Sequence, residues 1–431
     1  MLIMVRFPSP TKRMFMDSLP RVLFINHSIR DGGPGKSLFY LLKFLDRTRL
    51  TPYVLIPKDD VFSDWLRTEG VYENVITDQR FPENLKRPRF GASEAGSGSG
   101  IFSIYYDKLL HFLSVLLNIL DLLSLVVTSP LLLKRNGINV IYCNGTQAKV
   151  VGALMGLINW CPVIWHVRNI QQARLLSALI NNLARLPVVR RIICVSGATS
   201  DQFRRGREKL VVIHNGIDVG DYDPATTTGE IRSAYGLTDG TVVVGSTGRI
   251  VPRKGYELFI EAAGIALGEL GERRKEVKFV IVGDTPYFFR EDHLGKLKKM
   301  VMDAGLRDSF IFTGFKKDVR PCLKDFDIFV IPSSYPDPFP RSVIEAMSFG
   351  LPVVGFRAGG IVESVDDGVT GILSEPGNSR KMADAVLRLI ADKGLRESMG
   401  RAGRERVKER FSAQAVALKI EGNILEVCSR E

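Results

Sequence analysis

Short apolar runs and amphipathic segments alternate along nearly the whole chain. In the first half, the runs typical of buried parallel strands are RVLFIN (21–26), TPYVLIP (51–57), YENVITD (72–78), NVIYCN (139–144), PVIWHV (162–167), RIICVS (191–196) and LVVIHNGI (210–217). Segments with apolar residues at helical spacing lie between them. This alternation predicts a parallel sheet with helices on both of its faces.

A second series of the same kind follows a polar stretch near residue 220. Its predicted strands are TVVVGST (241–247), KFVIVGD (278–284), FIFTGF (310–315), DIFVIPS (327–333), PVVGF (352–356) and TGILSE (370–375). We therefore predict an α/β protein with two doubly wound, Rossmann-like domains that face a central cleft. The predicted limits are a loose leader at 1–20, a first domain at 21–218, a second domain at 219–411 and a final helix at 412–431 that returns to the first domain.

The segment 104–133 departs from this pattern because it is almost continuously apolar. Its polar residues recur at helical spacing and form one narrow stripe: His111, Ser114, Asn118, Asp121 and Ser124. The length nearly spans a bilayer, but Asp121 near the centre would be costly in lipid. Three interpretations stay open: a helix packed in a large core, a helix at a membrane surface or against a lipid-linked substrate, and a transmembrane span.

The segment 79–100, which precedes this helix, has no periodicity and is rich in Gly and Ser at its end. It predicts a flexible basic loop. The first twenty residues contain three prolines and several charges in place of the apolar core of a signal peptide. We interpret them as the loose leader.

Composition and charge narrow the class of ligand. The apolar fraction of 45% is ample for large cores, and the formal net charge of +12 suits phosphate-bearing ligands, nucleic acid or an anionic membrane surface. No nucleic-acid-binding motif is evident, so we expect no nucleic-acid partner. The five cysteines are scattered, without metal-ligand spacing. They predict neither a zinc site nor a disulfide framework, and they favour a reducing, cytoplasmic compartment.

The loop after the first predicted strand contains GPGKS, which invites comparison with a phosphate-binding P-loop. That motif needs a glycine five positions before the glycine of its Gly-Lys-Ser, and here that position is Arg30. We therefore reject a P-loop. The Gly-rich turn at a helix N-terminus remains, and two interpretations of Gly32 and Gly33 stay open. They either let the backbone approach an anionic ligand closely or only permit the turn.

Cations and carboxylates gather in the loops of the second predicted domain. Arg249, Arg253 and Lys254 lie in its first strand-to-helix loop, where they suit a diphosphate. Asp337 lies in a Pro-rich loop just before a predicted helix, and Glu345 lies within the first two turns of that helix. Such loops follow the carboxyl ends of parallel strands, where open α/β sheets bind ligands. A solvated basic loop and an ordinary helix cap are the alternatives.

His166 and Arg168 lie at the carboxyl end of the strand PVIWHV in the first domain. A histidine there is often a structural loop residue, but this position is on the ligand side of the sheet. Both interpretations stay open.

Together these segments resemble the retaining family 4 glycosyltransferases of the GT-B fold, also called group 1. The resemblance is carried by GRIVPRKG, by DIFVIPSSYPDPFPRSVIEAMSFGLPVVGFRAGGIVESVDDGVTGIL, by HNGID at the domain junction and by RESMGRAGRERVKERFS. It covers nearly the whole second domain and, more loosely, the first. It implies that the first domain binds the acceptor and the second binds a nucleotide-sugar donor.

The resemblance also implies roles for individual residues. The family's two acids, separated by seven residues, match Asp337 at the donor sugar and Glu345 at the ribose hydroxyls. Its diphosphate-binding Arg and Lys match Arg249 and Lys254. Its first-domain His near the reacting sugar matches His166.

The family's Gly-rich first-domain loop matches Gly32 and Gly33. We assign four further residues to the donor site: Phe339, Arg341, Gly359 and Gly360. The chain departs from the family in two ways, because Asp337 is one methylene shorter than Glu, and Pro338 and Pro340 lack an N–H. Both departures concern the identity of the sugar more than the reaction.

The implied function is retaining, metal-independent transfer of a hexose-type sugar from a UDP- or GDP-sugar to a glycan or lipid-linked acceptor. Synthesis of cell-surface polysaccharide or lipopolysaccharide is the expected context, with no cofactor and no metal. We expect a cytoplasmic protein, with peripheral attachment to an anionic inner membrane face as an open alternative. The other candidates are a sugar-nucleotide epimerase and a non-catalytic binder of nucleotide sugar or glycan on the same fold.

Overall fold

The computed structural model describes residues 19–26, 32–81, 101–287, 289 and 291–429. The predicted leader up to residue 18 and most of the predicted flexible loop, residues 82–100, lie outside these ranges. So do residues 27–31 of the Gly-rich turn.

The described part of the first half forms a parallel sheet in the order β3-β2-β1-β4-β5-β6-β7. Its strands are β1 (Arg21–Asn26), β2 (Thr51–Ile56), β3 (Val75–Thr77), β4 (Val140–Asn144), β5 (Val163–Val167), β6 (Val189–Cys194) and β7 (Leu210–Val212). The central strands β1, β4 and β5 are buried almost throughout. Burial on both faces explains why these strands are continuous apolar runs rather than alternating ones.

The described part of the second half forms a second parallel sheet, in the order β10-β9-β8-β11-β12-β13. Its strands are β8 (Val242–Thr247), β9 (Val277–Val282), β10 (Phe310–Gly314), β11 (Ile328–Ile331), β12 (Val353–Phe356) and β13 (Gly371–Ser374). The two sheets confirm the predicted class, two Rossmann-like units of the doubly wound type.

Helices connect the strands and cover both sheets. They are α1 (Gly33–Phe44), α2 (Val61–Thr68), α3 (Ile101–Asn136), α4 (Thr146–Asn159), α5 (Arg174–Leu183), α6 (Gly197–Ser200), α7 (Ile231–Ala234), α8 (Tyr256–Leu270), α9 (His293–Asp303), α10 (Arg320–Lys324), α11 (Arg341–Ser348), α12 (Ile361–Ser364), α13 (Ser379–Ala391), α14 (Lys393–Arg410) and α15 (Ala413–Ser429).

The last helical stretch is broken between α14 and α15. The break occurs where the chain passes the domain junction. Ile217 donates its N–H to the carbonyl of Phe411 at 2.9 Å, and its own carbonyl accepts from Ala413 at 2.7 Å. These bonds take backbone groups that a continuous helix would use internally. Beyond the break, α15 packs on α1, β4 and β6 of the first sheet. The domain limits themselves stay a prediction.

Helix α3 is longer than predicted and mostly not buried. Its stretch Leu109–Asn136 is long and apolar enough by composition to cross a membrane, with a mean hydropathy of 2.1, and 22% of its most apolar window is buried. Leu125, Val126 and Leu133 join the core of the first sheet. The helix is therefore attached to the first domain along one side only.

Candidate active site

The strand order of each sheet reverses at one point, and the loops diverge there to leave a crevice. In the second sheet this switch point lies between β8 and β11. The loops that follow these two strands contain Arg249, Lys254 and Asp337. In the first sheet the switch point lies between β1 and β4, next to β5, which contains His166. The predicted site residues thus occupy the ligand-binding edges of both sheets.

Lys254 and Asp337 contact each other directly at the second switch point. The Lys254 Nζ donates to the Asp337 Oδ2 at 2.6 Å, and both side chains are largely shielded from solvent. Arg249 is close enough for its charge to interact with Asp337. Burial of the guanidinium by surrounding protein lowers the pKa of Arg249, and the positive charge of Arg253 lowers it further, whereas Asp337 raises it. The loop therefore carries one neutralised pair and further cations.

Gly359 and Gly360 pack against the loop that holds Asp337. Gly359 has a φ of +56°, and a Cβ on it would lie 2.3 Å from the Asp337 carbonyl oxygen. The N–H of Gly360 donates to that same oxygen at 2.7 Å. The two glycines are required at least by this close approach, because any side chain would push the Asp337 loop away. A contact of theirs with the donor stays a prediction.

Glu345 is buried in α11 and faces Arg341. The Arg341 Nη2 donates to Glu345 Oε1 at 3.2 Å, one helical turn apart. Burial, followed by the charge of Glu345, raises the pKa of the nearby Tyr222 well above its usual range. A contact of Glu345 with ribose would therefore add to, or replace, an existing buried ion pair.

Arg341 extends from the second domain to helix α1 of the first. Its Nη1 donates to Ser37 Oγ at 3.2 Å, and its guanidinium lies 5.3 Å from the ring centre of Tyr40. A Cβ on Gly33 would lie 3.6 Å from Arg341 Cδ. Gly32 and Gly33, the predicted donor-binding glycines, are the N-cap and first residue of α1, and Gly32 has an extended backbone. They therefore adjoin the second domain without needing the left-handed conformation.

Phe339 has its ring in the core of the second domain. The ring is buried, with its centre 4.9 Å from that of His214 and 5.3 Å from that of Phe411. Its carbonyl oxygen accepts from Asn215 Nδ2 at 3.2 Å. A donor contact by Phe339 would have to involve its backbone, because the ring already serves the core.

His166 is buried on β5, one strand from the first switch point. Its Nδ1 contacts the hydroxyl of Tyr142, and the Nη2 of Arg168 donates to the same nitrogen at 3.2 Å. A guanidinium only donates, so Nδ1 accepts and the neutral ring carries its proton on Nε2. Burial, followed by the charges of Arg168 and Lys149, holds the pKa of His166 well below its usual range. Among the described residues Nε2 has no hydrogen-bond partner.

Arg168 organises a network of asparagines around this histidine. Its Nε donates to Asn144 Oδ1 at 2.5 Å and its Nη1 to Asn215 Oδ1 at 2.7 Å. Asn144 in turn donates to Asn26 Oδ1 at 3.0 Å. Burial lowers the pKa of Arg168 to about 10, which leaves it charged at neutral pH. Because Asn215 also bonds to Phe339, this network connects the two sheets.

A second connection between the sheets runs through Glu363 of α12. Its carboxylate accepts from the N–H of Gly197, at the start of α6, and from His214 Nε2, both at 2.9 Å. Although burial raises the pKa of Glu363, the bonds from His214 and from the α6 backbone lower it overall. The carboxylate therefore caps a helix of the other domain.

The structure brings the predicted residues together in three adjoining groups. Arg249, Lys254 and Asp337 lie at the second switch point, with Gly359 and Gly360 packed against the Asp337 loop. Arg341 lies against Gly33 and is paired with Glu345. His166 lies on β5, one strand from the first switch point. A small cavity between the sheets is lined by His166, Arg168, Ser37 and Asn215. Within the described residues, no three His, Cys, Asp or Glu side chains are grouped so as to hold a metal ion.

Sequence reasoning did not single out the asparagine network. Asn26 and Asn144 both end apolar strands, at the last position before a ligand-side loop. A polar residue at the carboxyl end of a buried strand is a usable signal, and it marks both of them. Asn215 stood within the motif HNGID without an assigned role.

Two Rossmann-like domains whose switch points share one cleft define the GT-B fold. The sequence model of glycosyl transferases group 1 matches residues 227–406, and that of glycosyltransferase family 4 matches residues 32–221. The chain therefore belongs to the group 1 and family 4 glycosyltransferases, as the sequence motifs predicted.

The chain spans about half the length of two curated relatives. The alpha-D-kanosaminyltransferase of Streptomyces kanamyceticus is 34% identical over 48% of this chain and 51% of the relative. The lipopolysaccharide core biosynthesis glycosyltransferase LpsE of Rhizobium meliloti is 31% identical over 40% of this chain and 47% of the relative. Among solved structures, Anabaena HepE in complex with UDP-glucose has a TM-score of 0.73 at 24% identity, over 94% of this chain and 99% of that chain. That likeness shows the shared fold.

Proposed function

We propose that this protein is a retaining, metal-independent glycosyltransferase. It would transfer a hexose-type sugar from a UDP- or GDP-sugar to a glycan or lipid-linked acceptor in the synthesis of cell-surface polysaccharide or lipopolysaccharide. Support comes from the family membership, from the LpsE relative and from the UDP-glucose bound by the HepE structure, a protein of the same fold.

One observation carries the proposal: Arg249 and Lys254 lie beside Asp337 at the switch point of the second sheet. Doubly wound sheets bind nucleotides at such points. The cations suit a diphosphate, and the carboxylate next to them suits the hydroxyls or the developing charge of the attached sugar.

The cations would act on the leaving group. Cleavage of the bond between sugar and diphosphate builds negative charge on the departing phosphate oxygen. Lys254 and Arg249 would stabilise that charge from fixed positions in the cleft. Electrostatic stabilisation is stronger in such a site than in water. These residues could serve without a metal ion.

The sugar would lie between Asp337 and His166. Since His166 is neutral and bears its proton on Nε2, it can donate a hydrogen bond to a sugar hydroxyl. Asp337, once Lys254 has turned to the phosphate, can accept one. Attack of the acceptor from the face that the diphosphate leaves would retain the configuration, and we assign no covalent nucleophile. A cytoplasmic location is proposed because the five cysteines are scattered and odd in number, which suits a reducing compartment.

The test is turnover with a panel of UDP- and GDP-sugars and glycan or lipid-linked acceptors, with and without EDTA. We expect release of UDP or GDP that requires an acceptor and continues in the presence of EDTA. The glycosylated product should have the anomeric configuration of the donor, as measured by NMR. Lys254→Ala and Glu345→Ala should reduce turnover strongly, and Lys296→Ala, on exposed α9, should not.

Two outcomes would replace the proposal. A change in the donor sugar without acceptor would indicate a sugar-nucleotide epimerase. Nucleotide-sugar binding by calorimetry with no turnover across the panel would indicate a non-catalytic binder.

A further inference from the structure

Helix α3 exposes its apolar side. Of its polar stripe, Ser114 and Asn118 are buried, Asp121 is half-buried, and His111 and Ser124 are exposed. The exposed large apolar side chains all lie on one side of the helix: Leu109, Phe112, Leu113, Leu116, Ile119, Leu120, Leu123, Val127 and Leu131. Ser114, Asn118 and Ser129, on the opposite side, are buried. A helix on a water-soluble surface has the reverse arrangement. The outer face of α3 is therefore built for apolar surroundings.

The end of α4 lies beside α3 and adds further exposed apolar side chains. The Asn159 Nδ2 donates to Ser129 Oγ at 2.8 Å, so the last turn of α4 lies beside α3. Next to this contact Leu157, Ile158 and Trp160 are exposed, Trp160 by 77%. Trp is the residue most typical of the boundary between lipid and water. We call the outer face of α3 together with these three residues the α3–α4 face.

The α3–α4 face does not correspond to a transmembrane span. Leu125, Val126 and Leu133 of α3 are packed in the first-sheet core, and a span would have to withdraw them from it. Ser114 and Asn118 would then enter lipid. A helix attached along one side, with its apolar side outward, fits the plane of a membrane surface.

Charge decides between a lipid surface and a second copy of the chain. The net charge of +12 makes two copies repel each other, whereas it attracts an anionic bilayer. The exposed cations Lys134 and Arg135 stand at the C-terminal end of α3, and Arg21 donates to the carbonyl of Asn136 there. An apolar face with cations at its edge matches acyl chains below anionic headgroups.

The position of the helix relates this face to the cleft. α3 leads into β4 through three residues and so runs against the strands. It is about 50 Å long, whereas a strand of five residues is about 17 Å long. Its N-terminal half therefore extends past the carboxyl-end edge of the sheet, toward the side on which the cleft opens.

We propose that the α3–α4 face docks the protein on an anionic lipid bilayer, with α3 lying in the headgroup region. The docking needs neither donor nor transfer activity, so it can be tested apart from the proposed reaction.

The test is cosedimentation of the full chain with phosphatidylcholine vesicles, with and without phosphatidylglycerol. The triple variant Leu116→Gln, Leu120→Gln, Leu123→Gln changes exposed side chains only and should fold normally by circular dichroism. We expect the wild type to bind anionic vesicles, and the variant to lose about tenfold or more in partitioning. Matched replacements on the second domain, Met302→Gln with Val369→Gln, should leave binding unchanged.

Two further readouts separate the contributions. Lys134→Gln with Arg135→Gln should weaken binding to anionic vesicles and reduce its salt dependence, with little effect on neutral vesicles. The fluorescence of Trp160 should shift to the blue on binding, and Trp160→Phe should remove that shift. Equal vesicle binding by the wild type and the triple Gln variant would overturn the proposal. Absence of vesicle binding by the wild type would also overturn it. In that case, a wild-type dimer that the triple variant dissociates would indicate that the face binds a second copy of the chain.

Discussion

At the residue scale, Lys254 is already bonded to Asp337 through a partly shielded ion pair of 2.6 Å. In the proposed site, a phosphate oxygen would take the place of the Asp337 carboxylate at Lys254. Asp337 would then face the sugar. The pair would thus oppose the binding of a diphosphate alone and would release Asp337 only when the donor is present.

Asp337→Asn should separate these two effects. The amide keeps the size of the side chain but leaves Lys254 without its counter-charge. We expect UDP to bind a few-fold more tightly, because no ion pair has to be broken. Sugar transfer should fall by about a hundredfold, because the charge beside the sugar is lost. Calorimetry and turnover measure the two quantities, and weaker UDP binding by the variant would contradict this role.

Lys149 is a second charged residue with an unusual position. It is fully buried in α4, and its Nζ has no partner among the described residues. Burial lowers its pKa to about 8, while Cys194 and Cys143 raise it slightly. A lysine whose pKa falls on folding destabilises the native state most below that pKa, and stability rises as pH increases from 8 toward its usual value.

Lys149→Met should therefore stabilise the protein at pH 7. A shift of this size corresponds to about 3 kcal/mol, so we expect a gain of that order in the free energy of unfolding, measured by denaturant titration. The advantage should shrink at pH 10, where the wild-type lysine is neutral in the native state and is beginning to lose its proton in the unfolded state. A variant that is less stable than the wild type at pH 7 would show that the ammonium has a partner.

At the element scale, the sequence predicts which loops meet the ligand but not how their side chains pair. Strand ends are marked by apolar runs, and this placed Arg249, Asp337 and His166 correctly at the edges of the sheets. The bond between Lys254 and Asp337 joins residues 83 positions apart, and the choice of partner depends on strand order. The neighbouring sequence likewise does not show whether the ring of Phe339 packs in the core or faces a ligand.

Helix α3 was predicted as a helix with one polar stripe, and the structure has that stripe. The local pattern does not show which side of the helix faces the protein, because a mostly apolar helix fits a core, a membrane surface or a transmembrane span equally well. Only the packing of Leu125, Val126 and Leu133 on the first sheet shows which side of the helix faces inward. Ser114 and Asn118 of the stripe lie on that buried side.

The contact between α12 and α6 depends on the charge of Glu363. Its pKa is lowered in the native state, so its contribution to stability is present above the usual carboxylate pKa and lost as pH falls through the native value. We expect Glu363→Gln to reduce the free energy of unfolding by about 1 kcal/mol at pH 7, with the difference vanishing in acid. The exposed Glu375→Gln serves as the control. Equal stability of Glu363→Gln and wild type at pH 7 would show that the charge of the carboxylate does not stabilise this contact.

At the scale of the whole molecule, the domains are held together by polar bonds around the cleft. Asn215 joins Arg168 of the first sheet to the Phe339 backbone of the second. Arg341 bonds to Ser37, 304 positions away in the chain. The fold class follows from the order of apolar runs, but contacts at such separations are set by the packing of the domains, which no local pattern encodes.

Asn215→Ala should weaken the contact between the two domains. The substitution removes bonds to Arg168 and to Phe339 without opening the core. We expect a larger radius of gyration by small-angle X-ray scattering in the absence of nucleotide, and a smaller difference when UDP is present. Asn182→Ala, on the exposed side of α5, is the matched control. An unchanged radius would mean that other contacts, such as that of Glu363, hold the domains.

The central claim is that the switch point of the second sheet binds the diphosphate of a nucleotide sugar through Lys254 and Arg249. Its most direct test is calorimetric titration of the wild type, Lys254→Ala, Arg249→Ala and Lys296→Ala with UDP and with GDP. Loss of a charge-assisted bond is worth about 1.5–3 kcal/mol, so the first two variants should bind the preferred nucleotide at least about tenfold more weakly than the wild type. Lys296→Ala should match the wild type. Equal affinity of all four proteins for the nucleotide would contradict the claim.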